Sequence, residues 1–387
     1  MKGRIIKRKG AKNYTIILQL GLDPATGKRK QKWIAMGTSK REAEEYMTKL
    51  VHELNTGSYV RPTKETLGEY LDIWFQNHRA NIAPTTAQAY ENLIKNHIKP
   101  ALGRLPLTSL TPDHLQRFYS SKLNNGRKDG KGALSNRTVR YLHCTLHRAL
   151  KVAVRQGKLY RNPADAVEAP RDARHEMHTM DEADMHLLLE CARSTPYYAL
   201  FYLGLFTGMR RSELLGLRWC DVDLDLSQLS VTRTLHRLHN GEFFIGDPKS
   251  AKGKRLIALS PSTVVVLKEH KAAETERRLE RNKRSLRDQD PVFTRNDGSP
   301  LQPDSVSQAW RTITRKAGVE GIRLHDARHT HASFMLKAGT HPKIVQERLG
   351  HASIRITLDT YSHVAPGLQE AAAKAFDDMV LRPQSER

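Results

Sequence analysis

Cysteine is scarce in this sequence, and no long apolar run occurs in it. The 387 residues include three cysteines, which are far apart and lack the spacing of metal ligands, so neither disulfides nor a zinc site is expected. No apolar stretch approaches the roughly 20 residues that cross a membrane. The basic N-terminus lacks the apolar core of a signal peptide. These absences favour a cytoplasmic protein with no membrane partner.

Acidic residues are too few to balance the basic ones. Lys and Arg number 64 against 41 Asp and Glu, which gives a formal net charge of +23. An excess of this size points to a polyanionic partner. Charge alone does not separate nucleic acid from a ribosomal or membrane-surface role, so the assignment depends on motifs. The length allows two or three globular domains.

One stretch near the C-terminus concentrates residues that suit phosphate chemistry. His325, Arg328 and His329 are spaced three and four residues apart, which places them on one face of a predicted helix. Two shorter predicted helices follow; His351 lies between them and Tyr361 lies on the second. Folded back on itself, this stretch can bring two imidazoles, a guanidinium and a phenol to one point.

Each of these residue types has a reason to meet a phosphodiester. Arginine presents a fixed fork of donors to phosphate oxygens and stays protonated. Imidazole can accept or donate a proton near neutral pH. A phenol, with a pKa of roughly 10, needs nearby positive charge and a base before it can act as a nucleophile. The set therefore predicts nucleophilic attack on a phosphodiester.

The order of these residues resembles the second signature box of the tyrosine recombinases, the phage-type integrases. The chain reads HDARH from His325, then LGH ending at His351, then Tyr361 ten residues later. Any one of these residues alone is ordinarily a buried histidine, a surface arginine or a packed tyrosine. The complete ordered set is specific, and the resemblance covers essentially the whole chain.

A second motif, TGMRRSEL at 207–214, resembles the first box of the same family. Arg210 occupies the position of its first catalytic arginine. Arg211 falls where the family varies, so it is left outside the active set. Glu213 is expected to hold the loop or Arg210 by a charge-assisted hydrogen bond.

The family also carries a lysine on a β-hairpin, commonly in a PKT-like context. Residues 229–260 are predicted to be β structure, and Pro248-Lys249-Ser250 matches that context. The resemblance therefore implies that Lys249 is the general acid. The AKGK that follows departs from the common pattern and makes Lys252 a competitor.

The first 60 residues carry 13 Lys and Arg against five acidic residues. Weak alternation predicts one strand from Tyr14 and another from Gln31, joined by a turn at 23–27, and Ser39 is predicted to cap a helix. A small sheet with one helix resembles the N-terminal arm-binding domain of integrases from phages and conjugative transposons. Such a sheet can lie in a major groove. A solvated basic surface is the alternative.

An all-helical segment follows. Thr66, Pro84, Thr111 and Ser135 begin four predicted helices with apolar residues at helical spacing. The resemblance implies that this module is the core-binding domain, which clamps DNA opposite the catalytic domain. Basic residues cluster around the loop before the fourth helix: Lys122, Arg127, Lys128, Lys131, Arg137 and Arg140.

The expected fold class is multidomain and mainly α. It comprises a small N-terminal β-sheet-plus-helix arm-binding domain, an all-α core-binding domain, and a mixed α+β catalytic domain with a small antiparallel sheet. Two prolines and little periodicity mark a linker that lets the two halves close around a duplex. The expected bounds are 1–60 for the arm domain, 65–160 for the core-binding domain, 161–178 for the linker and 179–387 for the catalytic domain.

The resemblance implies site-specific DNA recombination that integrates and excises a phage or other mobile element. The residues to which it assigns catalysis are Arg210, Lys249, His325, Arg328, His351 and Tyr361. The arginines would clamp the scissile phosphate, and the tyrosine would attack phosphorus to leave a 3′-phosphotyrosine and a free 5′-hydroxyl. The lysine would protonate the leaving oxygen, His325 would handle the tyrosine proton, and His351 would hydrogen-bond the phosphate. Because the phosphotyrosine keeps the bond energy, no ATP, metal or other cofactor is expected.

The implied partners are double-stranded DNA attachment sites and three further copies of the chain, which would form a homotetramer on two paired sites. An alanine-rich predicted helix after Pro366 has an apolar stripe that either docks on a neighbouring subunit or packs on its own domain. An excision factor and a host DNA-bending protein are further candidate partners. On DNA the protein would be associated with the nucleoid.

Four alternatives stay open from the residues alone. A type IB topoisomerase uses similar chemistry, but the arm-like N-terminus and the LGH motif argue against it. A metal-dependent nuclease could use His325, His329, His331 and His351, although no carboxylate-rich cluster accompanies them. The third alternative is a DNA-binding repressor with a silent active site. Such a repressor would not need the complete set of expected catalytic residues, which this chain has. The fourth alternative is a Xer-like resolution recombinase. Recombinases of that kind typically lack an arm domain, so residues 1–60 argue against it.

Overall fold

The computed structural model describes residues 3–7, 12–22, 29–56, 63–172, 178–248, 250–281 and 284–361, with residues 373, 374, 376, 377 and 380 near the C-terminus. The chain divides into two compact units, Met1–Arg174 and His175–Arg387. None of the helices formed by these described residues is long and apolar enough to cross a bilayer.

The first unit begins with a small antiparallel sheet and one helix. Ser39 caps this helix as predicted, because its hydroxyl accepts a hydrogen bond from the Glu42 N–H at 3.3 Å. The turn predicted at 23–27 lies outside the described residues. The four elements are β1 (Gly3–Lys7), β2 (Tyr14–Leu22), β3 (Arg29–Ala35) and α1 (Lys40–Asn55).

The sheet has the strand order β1-β2-β3. Strand β1 was not predicted from the sequence, and its pairing with β2 explains why it forms. The five residues of β1 are too few and too basic to show an alternating pattern on their own. In the sheet, Ile5 of β1 lies opposite Ile16 of β2. Ile16 and Leu18 are buried with Ala43 and Leu50 of α1. The strands from Tyr14 and near Gln31 and the helix after Ser39 are confirmed.

A helical bundle forms the rest of the first unit. Side chains at the predicted starts Thr66, Thr111 and Ser135 each accept a backbone hydrogen bond from the first helical turn. The apolar residues at helical spacing on the fourth predicted helix are buried: Val139, Leu142, Leu146 and Leu150. The helices are α2 (Leu67–Arg79), α3 (Pro84–Leu93), α4 (Lys99–Leu102), α5 (Pro112–Asn125) and α6 (Asn136–Arg155).

A π-helical turn, Ile94–Ile98, joins α3 to α4 without a break. Pro100 has no N–H to donate, and a proline ring crowds the carbonyl four residues earlier in an α-helix. The wider turn, closed by a hydrogen bond from the Lys99 N–H to the Ile94 carbonyl, accommodates the proline. Ile94 and Ile98 consequently remain in the core.

The stretch that the sequence assigned to a linker begins inside the helical core. Pro163–Ala166 forms a 3-10 helix, and Ala164 and Val167 are buried with the bundle. Asp165 lies 2.8 Å from the Nε2 atom of His147 on α6. Residues 173–177 lie outside the described part of the chain.

The second unit is mostly helical and contains two small antiparallel sheets. One sheet has the order β4-β5-β8 and the other is the hairpin β6-β7, which confirms the β structure predicted for 229–260. The strands are β4 (Val222–Asp223), β5 (Gln228–Val231), β6 (Thr234–Arg237), β7 (Phe243–Gly246) and β8 (Arg255–Ala258). The helices are α7 (Glu182–Arg193), α8 (Tyr198–Thr207), α9 (Arg211–Gly216), α10 (Pro261–Glu280), α11 (Pro303–Lys316), α12 (Leu324–Lys337), α13 (Pro342–Leu349) and α14 (Ile354–Tyr361).

Helix α8 is apolar on every side and forms the centre of the second unit. A helix of this composition is stable in water only when it is covered all round. Phe201 meets Trp310 of α11 edge to face, with ring centroids 5.0 Å apart. The indole N–H of Trp310 donates to the carbonyl of Ile322 at 2.9 Å. These contacts fix α8, which leads directly into the first signature motif.

The highly charged helix α10 buries two of its charges. Arg278 donates to Glu274 at 2.9 Å and to Asp290 at 2.7 Å, and all three residues are buried. The i, i+4 spacing brings Glu274 and Arg278 together, so neither charge is buried alone.

Candidate active site

The first signature motif begins where α8 ends. Gly208 has φ +65°, and a Cβ atom there would lie 2.5 Å from Leu349 Cδ2 and 2.9 Å from His331 Cδ2. Glycine is therefore required both by the left-handed backbone and by the close approach of two side chains. This tight turn places Arg210 at the start of α9.

Glu213 holds Arg210 at that position, as the sequence predicted. Its Oε1 atom accepts a hydrogen bond from Arg210 Nη1 at 2.7 Å, and its Oε2 atom accepts from the Arg210 backbone N–H at 2.9 Å. Glu213 is 1% exposed, while the Arg210 side chain is 32% exposed. A buried carboxylate thus anchors an arginine that keeps access to solvent.

Arg328 of α12 joins the two signature motifs. The residue is buried, its Nη1 donates to the carbonyl of Gly208 at 2.8 Å, and its Nη2 donates to the carbonyl of Leu349 at 2.5 Å. The guanidinium therefore connects the turn before Arg210 to the end of α13.

The two histidines beside Arg328 are held in the neutral form. The rings of His325 and His329 meet edge to face, with centroids 5.1 Å apart. His325 keeps an exposed face, but desolvation by the surrounding protein, followed by the charge of Arg328, lowers its pKa. Burial and the neighbouring His325 lower the pKa of His329 to about 4. At neutral pH both imidazoles can therefore accept a proton.

His351 is fixed by a glycine turn and a threonine. Gly350 ends α13 with φ +67°. The Nδ1 atom of His351 lies 2.9 Å from the Oγ1 atom of Thr357, which is fully buried on α14. Burial lowers the pKa of His351 to about 3, with further contributions from Arg328 and Arg210.

The two motifs lie side by side, because Arg328 of the second motif bonds the carbonyl of Gly208 in the first. The charges of Arg210 and Arg328 both lower the pKa values of His325 and His351. Such effects require the arginines and histidines to lie close together. Two guanidiniums and two neutral imidazoles thus surround one region, which suits binding of an anion and transfer of a proton.

Tyr361 is the last residue of α14, one helical turn after Thr357. Its position at the end of this helix is described, whereas its side chain lies outside the described part of the structure. The helix therefore starts beside His351 and leads to the expected nucleophile. The role of Tyr361 stays a prediction.

The lysine assignment also stays a prediction. Lys249 lies outside the described residues. Its competitor Lys252 lies on the 3-10 turn Ala251–Gly253, and its Nζ atom donates to the carbonyl of Ala352 at 3.1 Å. The hairpin region therefore reaches the segment that follows His351.

His331, one of the metal ligands that the nuclease alternative would need, has a different environment. Its Nε2 atom accepts a hydrogen bond from Arg348 Nε at 3.1 Å. Burial, then the charge of Arg348, lowers its pKa to about 3. Across the described ranges, no three His, Cys, Asp or Glu side chains are grouped so that they could hold a metal ion.

Two arginines that hold the site together, one partly buried and one with a buried side chain, were not predicted from the sequence. Arg348 donates to the carbonyls of Phe206 at 3.0 Å and Ala258 at 2.9 Å. Arg255 has a side chain that is 6% exposed. The alternation of β8 contained a signal for the second, because Arg255 shares its face with the buried Ile257.

Family models match two parts of the chain. The model described as the phage integrase family matches residues 178–367. The model described as the phage integrase N-terminal SAM-like domain matches residues 66–123.

Named relatives extend the similarity over nearly the whole length. A protein of Caldanaerobacter subterraneus subsp. tengcongensis named tyrosine recombinase XerC-like is 27% identical, with 97% of this chain and 98% of that protein covered. The ICEBs1 integrase of Bacillus subtilis is 25% identical, with 95% and 97% covered.

Solved structures with the same fold include those of two integrases. The Tn1549 transposon integrase in complex with transposon right-end DNA matches with a TM-score of 0.65 at 20% identity, covering 82% of this chain and 99% of that one. A lambda integrase tetramer bound to a Holliday junction matches with a TM-score of 0.58 at 18% identity, covering 92% and 94%. At these identities the likeness establishes a shared fold.

Proposed function

The chain belongs to the phage integrase family of tyrosine recombinases, and from this premise we propose how its residues cut and rejoin DNA. It is a site-specific recombinase of the kind that integrates phages or mobile elements. In our proposal the active set is the one expected from the sequence: Arg210, Lys249, His325, Arg328, His351 and Tyr361.

Cleavage exchanges one phosphoester bond for another. The Tyr361 oxygen attacks phosphorus, the bond from phosphorus to the 5′ oxygen breaks, and a 3′-phosphotyrosine forms. His325, neutral at physiological pH, receives the phenolic proton, and Lys249 gives a proton to the departing 5′ oxygen. Attack by the 5′-hydroxyl of another strand reverses these steps and completes the exchange, so no external energy source is consumed.

Charge stabilisation falls to the two arginines. Arg210 and Arg328 offset the negative charge that builds on the non-bridging oxygens in the transition state. His351 donates a hydrogen bond from Nε2 to the same phosphate, provided that Thr357 donates to Nδ1. The observation that carries the proposal is that the buried Arg328 donates to the carbonyls of Gly208 and Leu349, which lie two residues before Arg210 and His351 respectively.

The proposed partner is double-stranded DNA that carries the attachment sites. The net charge of +23 supports this partner. The related Tn1549 integrase was solved with DNA and lambda integrase as a tetramer on a Holliday junction. By extension, this chain acts as a homotetramer on two paired sites in the cytoplasm, with an excision factor and a host DNA-bending protein as further partners.

The division of labour along the chain is also part of the proposal. The sheet and α1 bind arm-type sites, the helical bundle clamps the core site, and the second unit carries out catalysis. The separate cores of the small sheet domain and the bundle support the first two assignments.

A covalent-capture experiment tests this function. Nicked duplexes of random sequence are incubated with the full-length protein in EDTA. DNA that stays attached to the protein in SDS is then amplified and sequenced. A duplex of a sequence recovered in this way is called the captured duplex below. A nick lets the fragment with the 5′-hydroxyl diffuse away, so the adduct accumulates. We expect SDS-resistant adducts that persist in EDTA. Strand cleavage that needs a divalent metal and leaves no adduct would indicate nuclease chemistry, and DNA binding with neither cleavage nor adduct would indicate a silent repressor.

A further inference from the structure

Arg255, the first residue of β8, is buried but does not face the reacting atoms in the proposed mechanism. Its side chain is 6% exposed, and each nitrogen of its guanidinium donates a hydrogen bond. Nε donates to the carbonyl of Arg348 at 2.6 Å, Nη1 to the carbonyl of Gly253 at 3.0 Å, and Nη2 to Glu213 Oε2 at 2.9 Å. One side chain thus joins β8, α9 and α13.

We propose that Arg255 is a positioning residue that fixes Arg210 through the carboxylate of Glu213. This inference rests on the proposed function. Oε2 of Glu213 accepts from both Arg255 Nη2 and the Arg210 backbone N–H, while Oε1 accepts from Arg210 Nη1. If Arg255 is removed, Glu213 keeps only the partly exposed Arg210 as its cationic partner and can turn toward it.

The electrostatics of Glu213 agree with this arrangement. Burial acts to raise the pKa of this carboxyl, but the charge and hydrogen bond of Arg255, followed by those of Arg210, hold the pKa below its usual value. Glu213 is therefore ionised, and Arg255 contributes more than Arg210 to keeping it so. The charge that orients Arg210 depends on Arg255.

The same guanidinium lies against the turn that carries His351. A Cβ atom on Gly350 would lie 3.1 Å from both Cδ and Nη1 of Arg255 and 2.9 Å from the carbonyl oxygen of Lys252. The chain can pass Arg255 so closely only because residue 350 is glycine. Arg255 thus holds the Arg210 side and the His351 side of the site at a fixed separation.

A buried ion pair can also serve stability alone, and the chain contains a matched control for that role. Arg278 is similarly buried, with a side chain that is 9% exposed, and it bonds Glu274 and Asp290. Its partners belong to α10 and the segment that follows it, and they take no part in the proposed catalysis. Arg278→Met therefore removes a comparable interaction without altering the support of Arg210.

The test measures the single-turnover rate of adduct formation at saturating captured duplex, with full-length Arg255→Met, Arg278→Met and Arg210→Ala. A second substrate carries a methylphosphonate at the scissile position, which removes the negative charge that Arg210 offsets. We expect Arg255→Met to slow the phosphodiester reaction by roughly 10²-fold with DNA affinity nearly unchanged. The defect should shrink on methylphosphonate, as for Arg210→Ala. Arg278→Met should lower the melting temperature and leave both rates close to those of the wild type.

Arg255→Lys covers the case in which Arg255→Met does not fold. Lysine keeps a positive charge beside Glu213 but cannot make three bonds in fixed directions. We expect it to fold and to show the same substrate-dependent defect, at roughly 10-fold or more. Equal defects on both substrates, or a wild-type rate for Arg255→Lys, would overturn the proposal. If the wild-type protein forms no adduct, the proposed function itself fails. If the wild-type protein forms adducts and the Arg255 variants react as fast as it does, only the positioning role of Arg255 fails.

Discussion

The Nδ1 atom of His351 lies 2.9 Å from the hydroxyl oxygen of Thr357. Thr357 is fully buried, and it precedes Tyr361 by one turn of α14. The histidine that faces the arginines is therefore tied to the helix that ends at the proposed nucleophile. Movement of α14 would turn the imidazole, so phosphate binding and nucleophile placement are linked through one hydrogen bond.

Thr357→Val should slow adduct formation by roughly 10-fold, because it keeps the shape of the side chain but removes the hydroxyl that orients His351. The measurement is the single-turnover rate on the captured duplex. Thr357→Ser is the control, since it keeps the hydroxyl and should react nearly as fast as the wild type. A wild-type rate for the valine variant would mean that the hydrogen bond does not orient the ring during catalysis.

The buried histidines should make the fold sensitive to mild acid. The pKa of His331 is lowered to about 3, whereas an unfolded histidine has a pKa near 6.5. As pH falls below roughly 6.5, the unfolded chain takes up a proton that the folded chain does not, so stability is lost by up to about 1.4 kcal/mol per pH unit for each such histidine. The lost stability should be visible between pH 7.5 and 5.

Urea unfolding at those two pH values measures this effect. His331→Gln should show a smaller loss of stability between them than the wild type, because one of the groups that must stay neutral is gone. His186 is exposed, so His186→Gln serves as the control and should match the wild type. An unchanged pH dependence in His331→Gln would mean that His331 does not remain neutral in the folded state.

Lys249 and Lys252 should be separable by a sulfur substitution. A captured duplex with sulfur in place of the 5′ bridging oxygen releases a thiolate, which leaves without a proton. Lys249→Ala should therefore be inactive on the normal duplex and active on the sulfur duplex. Lys252→Ala should lose its contact with the Ala352 carbonyl yet cleave the normal duplex nearly normally. Sulfur rescue of the Lys252 variant instead would transfer the general-acid role to it.

Deletion of residues 1–60 should leave core-site cleavage intact and abolish integration. The sheet and α1 have their own core, and the cut leaves Glu65, which binds Lys158, and the cap residue Thr66. A plot of log binding constant against log salt concentration should be steeper for the full-length protein than for the deletion variant. The difference in slope should be roughly 0.9 for each phosphate that the arm contacts. Identical footprints and salt slopes for the two proteins would indicate that the segment is only a solvated basic surface.

Much of this fold was predictable because its signals are local. Cap residues such as Thr66 and Ser135 mark helix starts through their own side chains. Gly350 marks the end of α13 because only glycine adopts its left-handed backbone at little cost. The order of HDARH, LGH and Tyr361 identified the candidate site residues before any geometry was known, and their roles stay predictions.

The features that were missed depend on distant partners. Strand β1 is recognisable only through its pairing with β2. Arg255 and Arg348 read as surface charges in the sequence, yet they are held by carbonyl groups and a carboxylate far away along the chain. Long-range hydrogen bonding decided each of these cases.

Identification of the residue that becomes attached to DNA tests the account most directly. The tryptic peptide 356–374 contains Tyr361 as its only tyrosine. Mass spectrometry of the digested adduct should find a nucleotide linked through its 3′-phosphate to that tyrosine. Tyr361→Phe should bind the captured duplex with unchanged affinity and form no adduct. An adduct on another residue, or one that persists in Tyr361→Phe, would contradict the proposed mechanism.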